Sequence, residues 1–347
     1  MSRIAVLLVV LLLAAAAATT VILGVRSLDT PLRLTAPLRF KVPSGASFAH
    51  VAGELAAQGV VANPRAWTLY ARLKGLASAV KAGEYEIQPG TTPRELLTKM
   101  VNGQVLLHSF TIVDGWRVQD LLEALPRNPD VAVTLPAQAG FAAQAAEVMA
   151  KLGSPGTDAE GQFLPETYRF IGGTNDVELL RQAHAALVHE LDAAWKDRDP
   201  DLPLHSSNEL LIMASIVQKE SGLAQELPKI AGLYLHRLSI GMRLQADPTV
   251  IYGLGQRYDG NIHSVDLQTD GPYNTYTRAG LPPTPIALAG AAAIRATARP
   301  EKTDAIYFVA STKGDGSHVF SATLEQHNAA VAAYVAHQRK AAQDAPR

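Results

Sequence analysis

Ser206–Gly222, SSNELLIMASIVQKESG, sets a single carboxylate at the end of a nearly unbroken apolar run. Ser206 followed three residues later by Glu209 is a capping-box pattern, and Gly222 stands where a C-terminal cap is expected, so the spacing predicts a short, well-bounded helix. On that helix Met213, Val217 and Glu220 fall at i, i+4 and i+7, with Ile216 four residues before the glutamate. The acid thus shares the stripe that faces a core. Partial burial disfavours the charged form and raises a carboxyl's pKa, the condition a general acid needs near neutral pH. The structural alternative is a solvated glutamate, or one paired with the adjacent Lys219.

Further along, GMRLQADPTVIYGLG (241–255), YNTY (273–276) and TRAGLPPTPI (277–286) are rich in Gly, Pro, Tyr, Asn and Gln and poor in alternation, which reads as ordered loop. Gln245, Asp247, Tyr252, Tyr273, Asn274 and Tyr276 bring hydrogen-bonding groups and flat aromatic faces, the contacts a hydroxyl-rich sugar takes from a preformed cleft. Pro248, Pro282, Pro283 and Pro285 would stiffen its walls. A long loop whose tyrosines only pack remains the alternative.

ASIVQKES, GMRLQADPTVIYG, YNTY and GLPPTPI, in this order and spacing, resemble the signature of the endolytic murein transglycosylases, the YceG-like family. The resemblance extends to EGQFLPETYRF (Glu160 to Phe170) and to the closing YFVA and GSHVFSATLEQHN segments. It implies that Glu220 is the catalytic acid and that the segment with Gln245 lines the sugar groove. It also implies an endolytic cut within nascent glycan strands. One departure is visible. The residue two before the acid is often Glu in that family and is Gln218 here, so the resemblance assigns no second acid at that place.

Composition narrows the classes. The 347-residue chain has a net charge of −1 from 31 basic and 32 acidic residues, with no basic footprint for nucleic acid. It has no cysteine, which excludes thiol nucleophiles, thiolate zinc sites and disulfides. The histidines form no HExxH pair, and there is neither a GxSxG elbow nor a GxxxxGK[ST] loop, so no metal and no cofactor is expected.

From Ile4 to Val25 the 22 residues carry no charge, enough for a helix to cross a hydrocarbon core of about 30 Å. The expectation is a cytoplasmic tail at 1–3 and a single transmembrane helix at 4–25, with the rest in the periplasm, held in the inner membrane as the resembling family is. The Ala14–Ala18 run leaves a cleaved export signal as the alternative. A Pro-punctuated tether, 26–36, precedes an internal repeat. FKVPSGASFAHVAGEL (40–55) and FTIVDGWRVQDLLEAL (110–125) align at an offset of 70, with Gly45 opposite Gly115, and a looser copy runs from Tyr85 to Met100. Each copy reads as strand, Gly turn and amphipathic helix. The region 37–130 is expected to hold LysM-like α/β modules, the first resembling a glycan-binding type, with a spacer as the alternative.

The catalytic domain is expected at 131–340. Val131–Lys151 reads as helix, Val177–Trp195 as a long amphipathic helix, and the segments 305–310 and 318–323 as a hairpin across KGDGS. Glu166 reads as a cap of the turn after Pro165, with a place lining the groove as the alternative, and His318, His327 and Asn328 read as structural residues. The fold class is α+β with a mainly helical catalytic core.

The expected chemistry is proton donation by Glu220 to the β-1,4 oxygen between N-acetylmuramic acid and N-acetylglucosamine, then closure of the muramic C6 hydroxyl onto C1. Partners would be glycan strands, the membrane and peptidoglycan synthases. Two alternatives stay open. Asp247 paired with Glu220 would make a lysozyme-type hydrolase, although the neighbouring Pro248 suggests that Asp247 instead caps a helix or turn, and a non-catalytic scaffold would use the groove only to bind glycan.

Overall fold

A computed structural model describes residues 3–136 and 140–344 and divides the chain into two compact units, Met1–His108 with Arg169–Gly173, and Ser109–Tyr168 with Thr174–Arg347. In the first unit α1 (Arg3–Leu28) leads to β1 (Leu38–Val42), α2 (Phe48–Ala57), α3 (Pro64–Leu73), β2 (Gly83–Ile87) and α4 (Pro93–Asn102). β1 and β2 pair antiparallel with Phe40 opposite Tyr85. Alternate residues point inward, and Phe40, Val42, Tyr85 and Ile87 join Phe48, Val51, Leu55, Trp67, Leu96 and Met100 in one core. Thr92 and Glu95 close a complete capping box on α4.

The expected span lies within α1, the side chains of residues 4–10 falling outside the described residues. Among the described residues no helix is long and apolar enough to cross a membrane. The segment expected as a tether is not a free linker. Leu28 and Leu32 are buried, Leu32 N donates to Thr91 O at 2.8 Å, and Arg94 grips Asp29 through Nε at 2.8 Å and Nη2 at 3.2 Å. Its leucines supply apolar surface that a tether lacks, so it docks.

The repeat is real as local structure. β3 (Leu107–Thr111) and α5 (Val118–Ala124) repeat β1 and α2, and the turn glycines Gly45 and Gly115 both hold φ of 76°, a left-handed conformation that a Cβ would strain. It is not a repeat of domains. The first and third copies share the first unit, whereas the chain passes from one unit to the other within β3, and the boundary falls at His108 rather than at the expected 130.

Beyond α5 the chain continues with α6 (Phe141–Lys151), β4 (Thr167–Ile171), whose residues from Arg169 belong to the first unit, α7 (Asp176–Lys196), α8 (Ser207–Glu220), α9 (Leu227–Ser239), α10 (Asp247–Leu254), α11 (Ser264–Gln268), α12 (Ala291–Ala298), β5 (Tyr307–Ala310), β6 (His318–Ser321) and α13 (Leu324–Asp344). β4 pairs with β3, and β5 with β6 as the expected hairpin, Phe308 facing Phe320. Helix from Val131 is corrected. The helix starts at Phe141, and Ala132 instead bridges Asn175 beside Asp176, whose carboxylate accepts from Thr134 N and Leu135 N at 2.9 Å. Residues 137–139 of that stretch lie outside the described residues. The fold is α+β with a mainly helical body.

α8 is central rather than amphipathic. Every residue from Leu210 to Val217 is buried, and α7, α9 and α12 pack around it. A helix apolar on all sides belongs inside a core, and only its ends reach solvent. Close approach needs Gly232 on α9, where a Cβ would stand 2.1 Å from the Glu301 carbonyl oxygen.

Candidate active site

α8 carries Glu220 on its last turn, at the end of this buried rod. Ser206 Oγ accepts from Glu209 N at 3.2 Å, but the Glu209 carboxylate accepts from His205 N at 2.7 Å, so the expected capping box is shifted by one residue. The C-terminal cap is corrected too. Ser221 ends the helix in an extended conformation, φ −144° and ψ 139°, and Gly222 is not left-handed. This extended exit leaves Glu220 at the rim of a cavity of about 490 Å³ that is also lined by Tyr234, Arg237, Gln245, Asp247, Tyr276, Tyr307, Phe308, Leu324, His327 and Asn328.

Tyr234 Oη donates to Glu220 Oε1 at 2.5 Å. Burial pushes the Glu220 carboxyl up to about 7; the Tyr234 hydrogen bond pulls it back, Asp247 adds to the rise and Arg237 opposes it. The carboxyl is thus a proton donor near neutrality. Tyr234 is itself held protonated by burial and by the carboxylate beside it, so it stays a donor to Oε1 and leaves Oε2 for the transferable proton. Arg237 is buried and donates through Nε to Ile306 O at 2.6 Å and through Nη1 to Leu244 O. Its guanidinium sits between the Tyr234 and Tyr307 rings, 5.9 and 5.7 Å from their centres. A fixed buried cation is suited to stabilise a carboxylate left after proton transfer.

Asp247 does not cap α10. Ala246 is the N-cap, Asp247 stands in the first turn before Pro248, and Tyr276 Oη donates to its Oδ1 at 2.5 Å. The stretch expected as loop is therefore partly helix, because Asp-Pro is favoured in a first turn and Gly255 ends it. Gln245 holds φ of 51°, the one left-handed non-glycine among the described residues. Its N donates to Thr275 O at 3.2 Å, and Ala246 N donates to Thr275 Oγ1 at 3.0 Å, so the YNTY segment over-determines this strained turn.

The cavity gathers Glu220, Gln245, Asp247 and Tyr276 of the expected residues. Tyr252, Tyr273 and Asn274 are not among its lining residues. Tyr252 Oη donates to Glu160 at 3.3 Å and its ring packs edge-on against Tyr273, 4.8 Å away. Asn274 is buried, and its amide donates to the carbonyls of Asp266, Leu267 and Thr269 at 3.0, 3.2 and 2.8 Å, which shapes the loop. Glu166 is exposed and offers its backbone carbonyl to Ile112 N at 2.9 Å, not the expected side-chain cap. His318 is structural as expected, its Nδ1 2.7 Å from Glu226. Tyr234 and Arg237 were missed: at i, i+3 on α9 they read as ordinary interior and surface positions. His327 and Asn328, expected as structural, line the cavity.

The YceG-like family model matches residues 40–333. The chain belongs to the YceG-like family. It is 29% identical over 322 residues to the endolytic murein transglycosylase of Bacillus subtilis (strain 168), covering 86% of this chain and 85% of the relative. It is 27% identical over 323 residues to the endolytic murein transglycosylase of Streptococcus pneumoniae serotype 2 (strain D39 / NCTC 7466), covering 85% of this chain and 58% of that longer relative. A crystal structure of a YceG-like protein from Listeria monocytogenes is similar with a TM-score of 0.48 and 27% identity, covering 84% of this chain and 98% of that one. In this YceG-like chain Gln218 has a structural task. Its Oε1 accepts from Gly290 N, the N-cap of α12, at 3.0 Å.

Proposed function

We propose that this protein is a peptidoglycan lytic transglycosylase of the endolytic type, with Glu220 as its acid and base. The observation that carries this reading is a carboxyl raised to about 7 at the rim of an open cavity lined by hydroxyl, amide and aromatic groups. The relatives named endolytic murein transglycosylases support it. Protonated Glu220 gives its proton to the β-1,4 oxygen, the C1–O bond breaks, and the sugar passes through an oxocarbenium-like state. As a carboxylate, steadied by Tyr234 and Arg237, it takes the proton of the muramic C6 hydroxyl as that oxygen bonds to C1. The product is a 1,6-anhydro end, no water is consumed, and Glu220 is protonated again. Gln245, Asp247 and Tyr276 contact the sugars, and Tyr252, Tyr273 and Asn274 hold the loop that presents them.

The same reading places the protein in the inner membrane with both units in the periplasm, where it would terminate glycan elongation beside peptidoglycan synthases. The 22 uncharged residues lie in one 26-residue helix, and at 1.5 Å per residue they extend about 33 Å. The first unit, with strand, two helices and strand, is proposed to be a LysM-like glycan-binding module. Asp247 in the same cavity favours the hydrolase as the second reading. Mass spectrometry of digested peptidoglycan separates them. Anhydro-muramic ends are expected, and reducing ends heavier by one water would instead make the enzyme a muramidase.

A further inference from the structure

Leu324, His327 and Asn328 stand at i, i+3 and i+4 on the first turns of α13, and all three line the Glu220 cavity. That turn is fixed locally. Thr323 Oγ1 accepts from Gln326 N at 3.2 Å, and Gln326 Oε1 accepts from the N–H groups of Ala322 and Thr323 at 3.1 and 3.3 Å. The His327 ring stacks on Tyr307 with centroids 5.2 Å apart and planes 20° from parallel. Tyr307 is braced by Arg237, whose guanidinium lies 5.7 Å from its centre.

His327 Nδ1 is buried and has no hydrogen-bond partner among the described residues. Folded proteins rarely leave a buried polar atom without a partner. The other ring nitrogen, Nε2, is not among the buried unpartnered atoms. His327 lines the cavity, unlike His236, whose Nδ1 is also buried without a partner among the described residues.

We propose that Tyr307, His327 and Asn328 form a subsite for one N-acetylated sugar of the glycan. The Tyr307–His327 stack offers an apolar face to the pyranose C–H groups, His327 Nε2–H donates to a sugar oxygen, and the Asn328 amide, donor and acceptor at once, pairs with the acetamido group. The subsite rests on the glycan-cleaving reading above and deepens it.

The test uses the full chain in detergent, with cleavage of isolated sacculi and with binding of muropeptide oligomers to Glu220→Gln. His327→Phe keeps the stack and removes the donor, so KM should rise about three- to tenfold with a smaller fall in kcat, and oligomer Kd should rise in parallel. His327→Gln should recover part of the loss, because its amide N–H reaches where Nε2–H stood. A merely structural histidine would lower Tm and kcat and leave Kd unmoved. Asn328→Ala, on an exposed position, should erase any preference for N-acetylated over de-N-acetylated oligomers, and it serves where His327→Phe does not fold. Wild-type protein that leaves sacculi uncut removes the parent reading and the subsite with it. Wild type that cuts, while His327→Phe binds oligomer undiminished or Asn328→Ala keeps its preference, overturns the subsite alone.

Discussion

Glu220 at the end of α8 and Glu160 in the loop before β4 are carboxyls of one structural unit that burial lifts to about the same place, about 7 each. Their surroundings differ in kind. Glu160 keeps 5% of its surface exposed and spends both oxygens, one on Val118 N at 3.1 Å and the other on Tyr252 Oη at 3.3 Å, with Arg117 over the Tyr252 ring. Glu220 spends Oε1 on Tyr234 and faces a cavity with Oε2 to spare. A raised pKa marks burial. Access for a substrate oxygen is what suits one of the two to the proposed role of acid and leaves the other a clamp that joins α5 to α10.

Paired variants put this comparison under the greatest strain. Glu220→Gln should cut turnover by about 10²–10⁴-fold while glycan still binds, and Glu160→Gln should stay within about threefold of wild type. Because Glu220 must hold its proton to act first as an acid, kcat/KM should fall as pH rises through about 7, and Glu160→Gln should leave that limb where it is. A folded Glu160→Gln protein as inactive as Glu220→Gln would erase the distinction between clamp and acid.

Stability should show the opposite pattern, with the two glutamates alike. Each folded pKa of about 7 lies above the ordinary glutamate value of 4.5, so the folded state holds more protons between those values. The stabilising effect of protonation is fully present below about 4.5 and is lost as pH rises through about 7. Either Gln variant should therefore lose less stability than wild type between pH 5 and 8, by on the order of 1–3 kcal/mol in chemical denaturation. Glu160→Gln gives up one acceptor for Tyr252 Oη, which offsets part of its gain. Denaturation midpoints with the same pH slope in wild type and both variants would mean that neither carboxyl is buried as described.

Legibility in the sequence followed the same division between the local and the non-local. The α7 and α8 helices, the 305–323 hairpin and the strand–Gly–helix repeat were readable because capping, period and turn chemistry act within a few residues. The burial of Glu220 at a helix end was readable because its helix neighbours are apolar. Tyr234, Arg237, Tyr307 and His327 were not, since what makes them a site is the meeting of α9, β5 and α13 at the end of α8, separations of tens of residues that no local pattern encodes. The placement of Tyr252, Tyr273 and Asn274 outside this cavity was not legible for the same reason. Their chemistry suits a sugar, but Tyr252 pairs with Glu160, Tyr273 with the Thr284 hydroxyl, and Asn274 with carbonyls of its own loop. The membrane-span expectation covers residues 4–25, of which the side chains of 4–10, 17, 18 and 21 lie outside the described residues.

The smallest effect concerns backbone rather than charge. At Gly45 and Gly115 the chain meets a left-handed φ of 76° with the residue that adopts it freely. At Gln245, beside the cavity, it meets φ of 51° with a residue that adopts it at a cost of about 1 kcal/mol. Gln245→Gly removes that cost but adds freedom to the unfolded chain, so the net gain should be below about 1 kcal/mol, a Tm rise of a few degrees at most. Cleavage should weaken, through a higher KM, because an amide that lines the cavity is gone. If instead Gln245→Gly lowers Tm and leaves KM alone, the strained turn is held for packing and the side chain takes no part in the cavity's work.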